Sequence, residues 1–231
     1  MNKRAESIKA LLDRSAEDLR QLRGDYDASL QAKAISSELK IDIKNLCGNL
    51  RSVLDYLAHD IRETYCPLAA NKIFYFPIVD SAPGFAGQML ASYPGLEASK
   101  PALYAYLSSV QPFQGADKLW LSQLNKVNNL NKHGELVEQT RVTTEQVKAS
   151  STSGAQVSWN PANVRFGAGV LIGGVPVDPK TQMPVAHPSL TVQKITWVDF
   201  KFHEPDVSVL ALLSQATDGV AKIATGVQAL L

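Results

Sequence analysis

The sequence predicts an α+β protein, mainly α: a helical bundle carrying a small antiparallel β-sheet insertion before its C-terminal helix. Three observations predict it. Apolar residues recur at three- and four-residue steps through the N-terminal part, the signature of amphipathic helix. From Val137 to about Phe202 the composition shifts to Val, Thr, Gly and Pro with strand-like alternation. After that stretch the helical period returns. The expected organisation is a single domain: residues 1–136 form the bundle part, 137–203 the β-rich insertion, and 204–231 a helix that returns to the bundle.

The elements follow in order. Ile8, Leu11, Leu12, Leu19, Leu22, Tyr26 and Leu30 share one face of a first long helix, with Gly24 expected as a bend or break. Ile35, Leu39, Ile43, Leu46, Leu50, Val53, Leu54, Leu57 and Ile61 continue the period in a second helix, which Pro67 stops. Two long helices joined by a short turn predict an antiparallel hairpin. "IFYFPI" is too short and too apolar for a free helix, so it is expected as an extended segment laid over the bundle. Short helices are expected near Phe85–Ala91 and Lys100–Val110, a break at "QPFQG", and a further helix over Asp117–His133. In the insertion, "VLIGGVPV" predicts a tight hairpin turning at Gly173-Gly174. Asp206, after Pro205, is the expected N-cap of the last helix, whose apolar face runs from Val209 to Leu230.

Composition narrows the function classes. Lys and Arg number 23 against 22 Asp and Glu, a formal charge of +1. So small a net charge produces no long-range field drawing in nucleic acid or an anionic membrane; nucleic acid would need a local patch. No stretch approaches the roughly 20 apolar residues that span a bilayer, and the N-terminus lacks the apolar core of a secretory signal. Cys47 and Cys66 are read as reduced, buried thiols, which with the preceding points predicts a cytoplasmic protein. The chain has no phosphate-binding glycine loop and no serine elbow. His59, His133, His187 and His203 show no metal-ligand spacing, so neither a metal nor a cofactor is expected.

Two stretches carry candidate site residues. Arg51, Asp55, His59 and Arg62 form one stripe on the second helix, where Asp55 either orients His59 for acid–base chemistry or pairs with Arg51. The alternative is a solvated row of ion pairs. In "LNKVNNLNKHGEL", Asn125, Asn128 or Asn129, and Lys132 lie on one side of their helix, with His133 beside Asn129. Amides at that density suit hydrogen bonding to a phosphate, sugar or base edge. The same residues also make a competent helix end: Lys132 and His133 meet the negative end of the helix dipole, and Gly134 suits a left-handed C′ position.

"LRSVLDYLAHDI", "FPI", "SVQPFQGADKLWLSQLN" and "NKHGEL", in that order, resemble a widespread uncharacterised family of bacterial proteins. Its pattern is an Arg-Ser-x-Leu-Asp-His-Leu helix, a Phe-Pro-Ile loop, Gln-Pro-Tyr-x-Gly, and Leu-Asn-x-x-Asp-Lys-His-Arg. The likeness covers about Asn45 to Leu136 and carries over to Arg51, Asp55, Lys132 and His133. This chain departs from it at Tyr56, Asn131 and Gly134, losing a carboxylate and a guanidinium from the implied site. A more distant likeness is to HEPN helical bundles, whose nucleases set an Arg shortly before a His at a dimer interface. That likeness implies a homodimer and a metal-independent ribonuclease in which His133 is general acid or base, Arg51 and Lys132 stabilise phosphate charge, and Asp55 orients a partner. Here Asn128 and Asn129 stand before His133 where the motif needs an arginine. The expectation that follows is a non-catalytic binding or interaction module, with Asn128, Asn129 and His59 as ligand contacts and the partner unidentified; the ribonuclease is the alternative.

Overall fold

The first helix, α1 (Lys3–Ala32), runs unbroken for 30 residues, about 45 Å. The expected break at Gly24 does not occur. Gly24 is exposed, while Leu22 and Tyr26 on either side of it are buried, so packing holds the turn through a residue of poor helix propensity. The structure, a computed structural model, describes residues 3–32, 36–67, 73–133, 139–202 and 205–231. Ile35, expected to open the second helix, lies outside them, as do the side chains of Leu30, Lys132 and His133 and the whole of Gly134 and His203.

Ser36 caps the second helix, α2 (Ser37–Tyr65), by accepting a hydrogen bond from the Leu39 N–H at 3.0 Å. Its apolar stripe from Leu39 to Ile61 is almost wholly buried. Arg4, near the start of α1, pairs with Asp60 at 3.0 Å and Glu63 at 2.6 Å near the end of α2, so the two helices run antiparallel. Residues 73–81 follow without regular structure, then α3 (Ala82–Ser92), α4 (Leu96–Ser99) and α5 (Pro101–Ser109). Two 3₁₀ turns at Pro112–Gln114 and Ala116–Lys118 lead into α6 (Leu119–His133).

The last helix, α7 (Val209–Gln228), packs on α1, α2, α5 and α6. Its cap is Ser208, whose hydroxyl accepts from the Ala211 N–H, rather than Asp206. The cause is a short strand: β6 (Leu190–Phe202) pairs with β7 (Val207–Ser208), delaying the helix, and Asp206 binds Lys201 at 3.1 Å instead. Two glycines let aromatic rings lie against the α7 backbone. A Cβ at Gly219 would overlap the Trp120 ring, and one at Gly226 would overlap Tyr106, whose hydroxyl donates to the Lys222 carbonyl.

The chain divides into two compact units, Met1–Thr140 with Phe200–Leu231, and Arg141–Asp199. The second has its own small core of Val147, Ala149, Trp159, Val175 and Leu190, with Phe166 edge-on to Trp159 at 5.2 Å. Its strands are β1 (Gln139–Ser151), β2 (Gln156–Trp159), β3 (Leu171–Ile172), β4 (Val175–Asp178) and β5 (Met183–Pro184), with most of β6. One antiparallel ladder pairs Val147 with Trp159, and the sheet order is β2-β1-β6-β7. The other sheet, β3-β4-β5, turns at Gly173 and Gly174, both at positive φ as a two-residue hairpin turn of this kind requires.

Candidate functional site

The stripe on α2 resolves into two separate arrangements. Arg51 is buried, and its guanidinium grips Asp55 with both arms: Nε donates to Oδ2 at 3.2 Å and Nη2 lies 3.0 Å from Oδ1. Asp55 therefore pairs with Arg51 and not with His59. The His59 ring, half-exposed, sits 4.5 Å from the Phe74 ring, and its Nδ1 is 3.7 Å from Glu63. Arg62 is buried with its guanidinium 4.0 Å over the same Phe74 ring.

Helix spacing explains why Arg51 and Asp55 meet, since residues four apart stack on one face. Tertiary structure adds their further partners. Arg51 Nη1 donates to Asn125 Oδ1 of α6 at 3.0 Å, and Asp55 Oδ1 accepts from the Phe76 N–H at 3.2 Å. Phe76 is buried, which fixes the extended segment across the bundle. The next residues are held by Gln111, fully buried at the turn after α5. Its Oε1 accepts from the Val79 N–H at 3.1 Å, and its Nε2 donates to the Pro77 and Leu107 carbonyls at 3.0 and 2.9 Å. Tyr93 donates to the Tyr75 carbonyl at 2.8 Å. Burial, and after it the nearby charge of Asp55, pushes the Tyr93 phenol well above its ordinary pKa. The separated pieces "LRSVLD", "FPI", "QP" and "LN" thus belong to one continuous hydrogen-bonded network.

This network frames a cavity of about 500 Å³ lined by Arg51, Tyr75, Ile78, Gln88, Asn125 and Asn129. The Tyr75 ring is half-open to solvent and lies 5.6 Å from the Arg51 guanidinium carbon. Asn129 is exposed at the mouth, one helical turn after Asn125. Asn128, its neighbour, faces elsewhere: it is buried and lines a second cavity with Asn45, Asn49 and Asn131. Of the residues singled out from sequence, Arg51, Asp55 and Asn129 come together, whereas His59 and Asn128 do not join them. Lys132 and His133 close α6, and their side chains lie outside the described residues.

Tyr75 and Gln88 carry no motif that marks them from sequence, and Gln111, though it opens the Gln-Pro piece of the resemblance, is not among the site residues read from sequence. A second signal for Gln111 is its place before Pro112, where a helix ends and carbonyls are left without donors. His187, set aside from sequence for want of metal-ligand spacing, is part of a turn: its Nδ1 lies 2.7 Å from Ser189 Oγ. Among the described residues no group of three or more His, Cys, Asp or Glu is placed to hold a metal ion, and no helix is long and apolar enough to cross a membrane. Both cysteines are buried and free, and burial pushes the Cys47 thiol up to about 12. Compared with models of protein families, with curated proteins and with solved structures, the chain matches none.

Proposed function

We propose that this chain is a non-catalytic binding module, and that it takes its ligand in the cavity of Arg51, Tyr75, Gln88, Asn125 and Asn129. One observation carries the reading: both oxygens of Asp55 are engaged, by two arms of Arg51 and by the Phe76 N–H. A carboxylate bound in that way, with three of its about four lone-pair sites taken, is a strut that shapes the cavity. What faces the cavity is recognition chemistry. Tyr75 offers an open ring face, and the amides of Gln88 and Asn129 both donate and accept hydrogen bonds. A flat, polar heteroaromatic ring matches that set.

The experiment is a two-arm comparison. Protein-observed NMR with nucleosides and small heteroaromatic fragments is expected to give saturable shifts that Tyr75→Ala and Asn129→Ala abolish. In the other arm, wild type and His133→Ala are incubated with RNA without metal, and both are expected to show the same background. Cleavage that depends on His133 would overturn the binding reading and establish the HEPN-like alternative, with Lys132 and Arg51 serving the phosphate.

A further inference from the structure

The cavity at Arg51 has one wall whose hydrogen-bonding sense is fixed by the fold. Arg51 Nη1 donates to Asn125 Oδ1 at 3.0 Å, and a guanidinium has no acceptor. The Asn125 amide therefore keeps its oxygen towards Arg51; turned over, it would set N–H against N–H. That leaves Nδ2, on the other branch of the same amide, for the cavity that Asn125 lines. This nitrogen has no hydrogen-bond partner among the described residues. Asn125 is half-buried and its Nδ2 is not shut off from solvent, so a ligand in the cavity can reach it.

Arg51 lines the same cavity and can only donate. The carboxylate beside it, Asp55, has both oxygens turned to Arg51 and the Phe76 N–H. The Tyr75 carbonyl is likewise taken, by the Tyr93 hydroxyl. The side chains of this wall, Arg51 and Asn125, thus present donors and no acceptor. Gln88 and Asn129 differ. Their amides make no hydrogen bond among the described residues, so each turns to present N–H or C=O as a ligand requires. The choice between ligands therefore falls to Arg51 and Asn125.

We propose that the cavity selects its heteroaromatic ring by an edge of acceptors, a keto oxygen beside an unprotonated ring nitrogen as in a 6-oxopurine, and that Asn125 is the specificity-determining residue. This rests on the binding function given above for the same cavity and adds which ring it takes. An amino group in place of the keto oxygen would bring N–H against Asn125 Nδ2 and leave both donors without a partner on burial. Discrimination between bases by their donor and acceptor edges has the same origin.

The test is NMR titration of the full chain with matched pairs that exchange a keto for an amino group: inosine against adenosine, and guanosine against 2,6-diaminopurine riboside. The keto member of each pair is expected to bind about tenfold more tightly. Asn125→Asp keeps an oxygen for Arg51 and puts a second oxygen where Nδ2 stood. It is expected to reverse the order, weakening the keto member and strengthening the amino member by about tenfold each. A damaged fold cannot produce that gain of binding. Equal binding within a pair, or tighter binding of the amino member by wild type, would overturn the edge selection and leave the cavity a ring-binding site. An order unchanged by Asn125→Asp would equally overturn it, since Asn125 would then not be the selecting residue. If no member of either pair binds up to about 1 mM, the binding function of the cavity fails and this proposal fails with it.

Discussion

Asp55 shows how a residue that looks catalytic on a helix face becomes structural once its partners are in place. Arg51 is largely buried, so its charge is tolerable only while Asp55 answers it. Asp55→Ala is expected to cost about 3 kcal/mol in urea unfolding, the low end for a buried pair because Asp55 is 23% exposed. Removing both charges with Arg51→Met and Asp55→Leu should cost clearly less than the single change. A double variant as unstable as the single one would show that the pair is not the source of the loss. Cys47 supplies a pH test. Its folded thiol titrates near 12 against an ordinary 9.0, because burial opposes the thiolate. Between those values the unfolded chain releases a proton that the folded chain keeps, so stability falls as pH rises from about 9 towards 12. Cys47→Ala leaves a small cavity and starts out less stable at about pH 8, and its deficit against wild type is expected to shrink by about pH 11, where wild type alone loses the thiol contribution.

Among the elements, α7 depends most on what is missing from its surface. Gly219 and Gly226 lie seven residues apart on one face, where Trp120 and Tyr106 rest against bare backbone. Gly219→Ala is expected to lower stability by about 1–3 kcal/mol, since a methyl group must displace a packed indole. Gly24→Ala on α1 has open space and should raise stability by about 1 kcal/mol, the ordinary propensity gain. Thermal unfolding of the two variants therefore moves in opposite directions. A helix wheel distinguishes neither glycine. For α2 it does better, because Leu39 to Ile61 keep one period over the whole helix and nothing competes with their burial. The start of α7 was less legible: Asp206 is a good cap by type, but pairing of Val207 and Ser208 with β6 moved the start to Ser208.

At the scale of the whole molecule, the two units keep separate cores. The helical unit closes over residues from Ile8 to Val227, and the insertion closes over Val147, Trp159 and their neighbours. Separate cores predict separable folding. Replacing Arg141–Asp199 with a flexible linker of about eight residues is expected to leave a bundle with its full helical circular dichroism and a cooperative transition. Loss of cooperativity in that variant would mean that the bundle needs the insertion to fold.

The sequence by itself determined the mainly helical α+β class, the two long helices, the extended "IFYFPI" segment and the Gly173-Gly174 hairpin. Each follows from local periodicity or from a backbone conformation that one residue type favours. It also placed Arg51 and Asp55 four residues apart, which is enough to bring them together on a helix. Only the tertiary structure decided that Asp55 answers Arg51 and the Phe76 N–H rather than His59, that Gln111 holds the loop, and that Asn128 and Asn129 line different cavities. Those outcomes depend on contacts between residues far apart in the chain, such as Arg51 and Asn125, 74 positions apart, and no local pattern encodes them.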